Sequence, residues 1–463
     1  MFETIRNAFK IKDVRRKILF TVLFILIYRL GCYITVPGLM PLGSEWSAEN
    51  ATGILGLLDS ITGSALSQGT LFSLGISPYI NASIIVQLLT VAIPALERMS
   101  KDGEEGRGKI NKITRWVTLV LSIISAAGIV ITLGNSGSYI NYNWLGGEGI
   151  TIGGVGLPTF LQQNKWIMYT YIVIVLVGGS MLTMWIGERI TEHGISNGIS
   201  LLIFVGIIAT ASHEIGSCIT NAIAGTEIAN NIISVSVFLV TVILVFMFIV
   251  WVDGAERKIK VQYAKQVKGN KMYGGQSTFI PIKVNASGVM PLIFAYALMS
   301  FVPMIASTFA SGSNFETWWT TYMTANGGHW VGITVYNVVL AIFIFVFAYF
   351  YSKIQFNPDE ISKNIQGNGG FVMGIRPGRE TADYLRKIVD RITLWGAVFL
   401  TIINLVPSVL FQLLPQILGI SLNTRLVSSL SATGMLIVVS VALEFNKALE
   451  NQILMRHYKG FLK

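Results

Sequence analysis

The stretch FSLGISPYINASIIVQLL, Phe72 to Leu89, is uncharged and long enough to help cross a bilayer, yet it places reactive polar side chains in an apolar run. Ser73, Ser77, Asn81, Ser83 and Gln87 can donate and accept hydrogen bonds, while Ile76, Ile80 and Ile84 form an aliphatic row at helical spacing. The polar set suits a latch, because such bonds between membrane helices are worth only about 0.6–2 kcal/mol and can part and reclose. The aliphatic row suits a seal, because a narrow ring of hydrocarbon repels ions and water by dewetting. Such a ring makes no specific bond to anything that passes. Taken singly, Ile80 and Ile84 have the ordinary reading of packing residues.

Other candidate chemistry is thin. GEEGRGKI, Gly103 to Ile110, fits the first seven positions of a phosphate-binding loop but has Ile110 where the Mg²⁺-coordinating Ser or Thr belongs. It sits in a short connection with no preceding strand, so no nucleotide chemistry is expected. The histidines at 193, 213, 329 and 457 lie in connections or the tail, and none pairs with a cysteine at metal-ligand spacing. No metal, cofactor or catalytic residue is expected, and the chain reads as a non-enzyme. The two cysteines, Cys32 and Cys218, are too few for a disulfide framework. Arg29, near the outer end of the first span, is the exceptional charge at membrane depth and reads as an anchor or a charge turned into the bundle. The same scarcity disfavours the alternative function, a secondary transporter for a small solute, which usually carries an ionisable group near mid-bilayer.

The elements that must position these residues are membrane spans. The chain has 463 residues, 52% hydrophobic and 13% charged, the composition of a polytopic membrane protein. A helix needs about 20 apolar residues to cross, and such runs predict ten spans: 18–36, 72–93, 116–134, 166–186, 194–212, 232–252, 284–309, 331–351, 392–412 and 426–443. The basic N-terminus followed by an apolar run resembles a signal peptide, but the run is long and lacks a small-residue cleavage site, so a retained span is expected. With both termini cytoplasmic, all but three of the 34 Lys and Arg lie inside, the exceptions being Arg29, Lys165 and Arg425. That asymmetry predicts the orientation.

Two inside connections exceed what topology needs, 256–283 and 353–391, each with seven Lys or Arg. Projecting cations suit a partner rich in phosphate or carboxylate. Between spans 1 and 2, the glycine-rich segment 53–69 places Ile54, Leu57, Leu58, Ile61 and Leu66 on one helical face. As helix, 54–66 would be about 20 Å long, too short to cross. It reads as an interfacial helix or as a movable segment folded back into a cavity. INASIIVQLL in span 2 and VNASGVMPLI in span 7 echo one another, as an inverted five-plus-five repeat would produce. The outer connections 135–165 and 311–330 are assigned no role.

The whole chain resembles the bacterial SecY family, central subunits of a protein-translocation channel. The motifs are ILIYRLGCYITVPG in span 1, GISPYINASIIVQLL in span 2, GERITEHGISNGISLLIF entering span 5, VQYAKQVKG and STFIPIKVNASGVMP leading into span 7, then FNPDEISKNI and GIRPG. The resemblance implies an all-α membrane fold of ten transmembrane helices, in two pseudo-symmetric inverted halves, 1–225 and 226–463, around a central pore. It implies a pore ring of Ile80, Ile84, Ile199, Ile203, Ile293 and Ile437, and a plug at 53–69 that includes Ile54, Leu57, Leu58, Asp59, Ile61 and Leu66. A sideways gate between spans 2–3 and 7–8 is implied, for which Gln87, Thr90 and Asn285 are the candidate latch residues. Arg376 is implied as the key docking residue for a ribosome or a SecA-type ATPase, with Arg257, Lys265, Lys268 and Arg379 as further candidates. Small SecE-like and SecG-like membrane subunits, a signal peptide, an unfolded preprotein and bilayer lipid are the other implied partners. The implied location is the cytoplasmic (inner) membrane.

Overall fold

The computed structural model describes residues 6, 8–41, 59, 62–135, 140–141, 151–152, 155–156, 164–223, 228–263, 266–268, 271–273, 277–284, 288, 290–309, 313–314, 318–319, 322, 330–418 and 432–460. A helix overlaps every one of the ten predicted spans. Among the described residues, six helices are long and apolar enough to cross a membrane, seven when one bent pair is counted as a single span.

Two compact units divide the chain, and the first comprises Met1–Phe238, Ala297–Tyr336 and Leu414–Lys463. Its helices are α1 (Lys12–Gly31), α2 (Ser77–Ala92), α3 (Pro94–Lys101), α4 (Gly103–Asn135), α5 (Lys165–His193) and α6 (Gly198–Ile223). α7 (Ile228–Asp253) begins in it, and two two-residue strands, β1 (Thr151–Ile152) and β2 (Val155–Gly156), pair as an antiparallel ladder. α2 packs on α4, α4 on α5, α5 on α6, and α1 on both α5 and α6.

Span 2 is shorter than expected. Residues 72–76 form turns, and α2 starts at Ser77 with Pro78 in its first turn, where a missing N–H costs nothing. At the other end Ile93 is extended ahead of Pro94, and α2 and the helix from Pro94 to Ser100 are bent by 106°. α4, by contrast, runs on where a loop was expected. Gly103, with φ +71°, begins a helix that takes in all of GEEGRGKI, with Glu104 and Glu105 favourably placed in its first turn. A helical backbone cannot wrap a phosphate as a glycine-rich loop does.

The second unit comprises Leu239–Tyr296 and Asn337–Leu413. Its extramembrane part is the antiparallel sheet β6–β3–β7, built from β3 (Glu256–Tyr263), β6 (Ser277–Lys283) and β7 (Gly370–Val372). A hairpin of β4 (Gln266–Lys268) and β5 (Lys271–Tyr273) lies between β3 and β6 in the chain. Ile259, Val261 and Ile282 from the sheet are buried with Ile365, Leu385, Ile388 and Ile392 in one apolar core. The connection 353–391 is thus folded structure: α9 (Trp330–Gln355) runs into it, α10 (Pro358–Gly367) lies within it, and α11 (Arg379–Leu418) starts in it. Asn357 caps α10 by accepting the Glu360 N–H at 3.4 Å, and Pro358 follows at the first helical position. Between α7 and α11 in sequence lies α8 (Met290–Phe309), which starts six residues later than the predicted span. There Phe294 is buried with its ring edge-on to Phe347 and Tyr351, at 5.7 and 5.8 Å. The Tyr296 hydroxyl bonds the buried amide oxygen of Asn404 at 2.5 Å. The last helix, α12 (Ala432–Gly460), belongs to the first unit and packs on α6.

Candidate functional site

The six isoleucines fall on four helices. Ile80 and Ile84 stand one turn apart on α2, Ile199 and Ile203 likewise on α6, Ile437 is on α12, and Ile293 is on α8 in the second unit. Ile84, Ile203 and Ile437 are buried, while Ile80, Ile199 and Ile293 keep part of their surface open. Ile293 is notable for its neighbours: Leu292, Phe294 and Ala295 are all fully packed, and Ile293 is the one left off that core.

The start of α6 is fixed by an unusually close backbone approach. A Cβ on Gly198 would lie 2.1 Å from the Gly187 carbonyl oxygen, so no larger residue fits without pushing α5 and α6 apart. The Thr191 hydroxyl accepts the Gly198 N–H at 2.9 Å, and Asn197 accepts from the Ile199 and Ser200 N–H groups at 3.1 and 3.4 Å. This is an N-cap written in the sequence HGISNGIS. On the other side of Gly187, Ile199 and Ile76 both lie against the hydrogen-only face, at 3.1 and 3.5 Å from where a Cβ would stand. The entries to α2 and α6, each carrying an isoleucine pair, are therefore held at one point of α5. Sequence reading missed Gly187 and Gly198, whose spacing has no period to mark them.

The expected plug segment is partly described. Ile54, Leu57, Leu58 and Ile61 lie outside the described residues. Asp59 and Thr62 are helical, and from Gly63 to Gly69 the chain is a run of turns, so the helix expected through Leu66 ends at Thr62. Gly63 and Ser64 have φ of +74° and +64°, left-handed values that interrupt any helix. Leu66 is buried among Val36, Leu74, Ile129, Leu133, Met168 and Ile172. Asp59 Oδ1 accepts the Ser67 N–H at 2.8 Å, and the Thr70 N–H is bonded to the Ala65 carbonyl. Thr35 and Thr70 form a β-bridge, tying the segment to the chain that leaves α1. Arg29 reaches the same turn: a Cβ on Gly63 would meet its Nη1 at 2.2 Å. That nitrogen is buried without a hydrogen-bond partner among the described residues.

Of the latch candidates, Gln87 bonds Ser83 at 3.5 Å and Thr90 bonds the Val86 carbonyl at 2.8 Å, both within α2. Asn285 lies outside the described residues. The docking candidates sit on the second unit's extramembrane structure. Arg257, opposite Ile282 in the β3–β6 register, is exposed at the start of β3, and Lys258 and Lys260 are exposed further along it. Those two lysines escaped the sequence reading, although the alternation with buried Ile259 and Val261 would have marked them. Lys268 ends β4, opposite Lys271, and Lys265 lies outside the described residues. Arg376 is exposed on a turn bracketed by Gly374 and Gly378, with φ of +83° and +103°, and its carbonyl accepts the Thr381 hydroxyl at 2.8 Å. The Ser362 hydroxyl bonds the Gly378 carbonyl at 2.6 Å, so the turn is tied to α10 as well as to α11, whose first residue is the exposed Arg379.

Residues 70–446 match the family model described as SecY. The chain belongs to the SecY family. It is 39% identical over the full length of both chains to a protein translocase subunit SecY of Bacillus licheniformis, and 38% identical, again over both full lengths, to the SecY of Streptomyces coelicolor. The SecY fold extends to solved structures. A structure titled as that of a protein conducting channel superposes with a TM-score of 0.64 at 18% identity, over 94% of this chain and 91% of that one. Sec61 from a canine ribosome-channel complex of the endoplasmic reticulum superposes with a TM-score of 0.61 at 18% identity, over the same shares of each chain.

Proposed function

We propose that this chain is the protein-conducting channel subunit of a bacterial cytoplasmic-membrane translocase, passing unfolded preproteins outward and releasing apolar segments sideways into lipid. The observation that carries this reading is 39% identity, end to end, with a protein translocase subunit. The channel is passive and non-enzymatic; the driving energy comes from a docked partner, a SecA-type ATPase or a ribosome. Sorting is partition. A segment of about 20 residues at about −0.5 kcal/mol each prefers lipid, and each central charge costs about 2.5–3.5 kcal/mol.

In this reading the two halves, 1–225 and 226–463, enclose the pore, and Ile80, Ile84, Ile199, Ile203, Ile293 and Ile437 line its constriction. Incomplete packing of Ile80, Ile199 and Ile293 supports that role, because an aliphatic side chain with no protein neighbour on one side is free to close on a passing chain. Segment 53–69 is the plug, and Gln87, Thr90 and Asn285 hold the gate seam. Arg376, Arg379 and Arg257, with Lys265 and Lys268, dock the motor; SecE-like and SecG-like subunits complete the complex, and both termini are cytoplasmic.

Reconstitution tests the reading. Purified complex in proteoliposomes, given a motor and an unfolded preprotein, is expected to protect that preprotein from added protease. Saturable uptake of a small metabolite with no motor requirement would instead favour the solute-transporter reading.

A further inference from the structure

The second half of the segment expected as the plug is knotted into the first unit. Within the knot, the Asp59 carbonyl accepts the Ser64 N–H at 2.9 Å and the Thr62 hydroxyl at 3.1 Å, and Asp59 Oδ1 accepts the Ser67 N–H at 2.8 Å. The Ala65 carbonyl accepts the Thr70 N–H at 3.1 Å and the Thr70 and Ser73 hydroxyls at 3.0 Å each. The end of α1 closes on one side. There the buried Cys32 thiol donates to the Thr62 carbonyl at 3.8 Å, and Arg29 sets Nη1 against Gly63. The chain leaving α1 continues the contact: the Val36 N–H donates to the Gly69 carbonyl at 2.9 Å, and the Leu71 N–H to the Ile34 carbonyl at 2.8 Å. From α5, the Ser180 hydroxyl donates to the Gly75 carbonyl at 3.3 Å, and Gly179 lies close under the Leu71 carbonyl. Leu66 is buried against Ile129 and Leu133 of α4 and Met168 and Ile172 of α5. Phe72, only 1% exposed, fills the space over Gly31 and stacks on Tyr28 at 5.6 Å.

We propose that Asp59 and the chain from Thr62 to Gly75 are a fixed clip that stays seated while a polypeptide passes, so that only residues before Asp59 can clear the conduit. This rests on the channel reading and narrows its plug, which ran to residue 69. The bonds are arranged to be lost together. Unseating the clip would strip the backbone bonds to Ile34 and Val36, the Ser180 bond to Gly75 and the Leu66 socket at once. At membrane depth the freed N–H and C=O groups would find no water to replace those partners. Leu66, packed between α4 and α5, serves the fold and not the seal. Cys32, Thr35 and Thr70 are then positioning residues. They fix where the plug is tethered and do not touch the passing chain.

Thr35 and Thr70 supply the test. The bonds Leu71 to Ile34 and Val36 to Gly69 flank their β-bridge, which makes them a non-hydrogen-bonded antiparallel pair. Such pairs hold their Cα atoms about 4.5 Å apart, within disulfide range. The variant Thr35→Cys/Thr70→Cys, made with Cys32→Ser and Cys218→Ala to remove competing thiols, is assembled into the complete translocase and read oxidised and reduced. Motor-driven protection of a preprotein is expected at the same rate in both forms. A rate lost on oxidation and restored by dithiothreitol would overturn the clip. A second readout leaves the clip untouched: with Cys218→Ala alone, N-ethylmaleimide is added to the detergent-solubilised complex at rest and with a preprotein arrested midway. Cys32 is expected to stay unlabelled in both and to react once the chain is unfolded in SDS. Labelling at rest, or labelling that appears with the arrested preprotein, would each overturn the clip. A parent complex that protects no preprotein removes the channel reading beneath it, whereas protection lost only on oxidation removes the clip alone.

Discussion

Ile84, Ile203 and Ile293 carry the argument at the scale of single residues, because each comes from a different helix and none carries a polar atom on its side chain. Replacing all three with glycine should widen the constriction and raise resting ion conductance in bilayers; an unchanged conductance would remove the sealing role. Arg376 makes the opposite kind of case, a charge held out on a turn by Gly374 and Gly378. Among the described residues its side chain makes no hydrogen bond or ion pair, so Arg376→Glu should impair motor-driven export while the subunit still inserts and assembles. Wild-type export rates in that variant would dismiss the docking role. Thr90 bonds its own helix, and Thr90→Val should therefore cost under about 1 kcal/mol of stability. Altered release of apolar segments in that variant would then report on the gate rather than on folding.

At the scale of elements, two adjacent glycines of α5 make a controlled comparison. A Cβ on Gly179 would lie 1.9 Å from the Leu71 carbonyl oxygen, whereas one on Gly178 meets nothing within 4 Å. Gly179→Ala should force α5 away from the chain entering α2, at about 1–3 kcal/mol, and lower the thermal midpoint in detergent. Gly178→Ala should leave that midpoint where it is or raise it slightly. Equal midpoints for the two variants would contradict the close approach. These contacts mark the limit of what sequence could reveal. Helices were legible from long apolar runs, but the cap at Asn197 was not, and the fifth span was expected from residue 194 where α6 begins at Gly198. The length of α4 was not legible either, since its first turns carry Lys, Arg and Glu that read as a loop although no Gly or Pro lies between Gly108 and Gly128. Nor was the sheet within the connection 256–283 and 353–391, whose strands β3 and β7 pair across a hundred residues of intervening chain. The Tyr296–Asn404 bond, between residues 108 apart, lies equally beyond local pattern.

At the scale of the whole molecule, long apolar runs, charge asymmetry and a chain-long set of motifs all point to a helical membrane protein of many spans, and family membership agrees. The candidate site was less legible than the fold. Isoleucine is ordinary in a membrane helix, so its pore role could be drawn only from the resemblance, and the polar stripe reads in sequence as a latch between helices, whereas Gln87 and Thr90 bond within α2. The central claim is that a translocating polypeptide passes the isoleucine ring. A photo-crosslinking side chain placed at Ile84 or at Ile203, with a preprotein arrested midway by a motor-driven reaction, tests it most directly. Adducts with the preprotein are expected from both positions and not from Val240, which is 58% exposed on the α7 surface. Adducts from Val240 but from neither isoleucine would contradict the account.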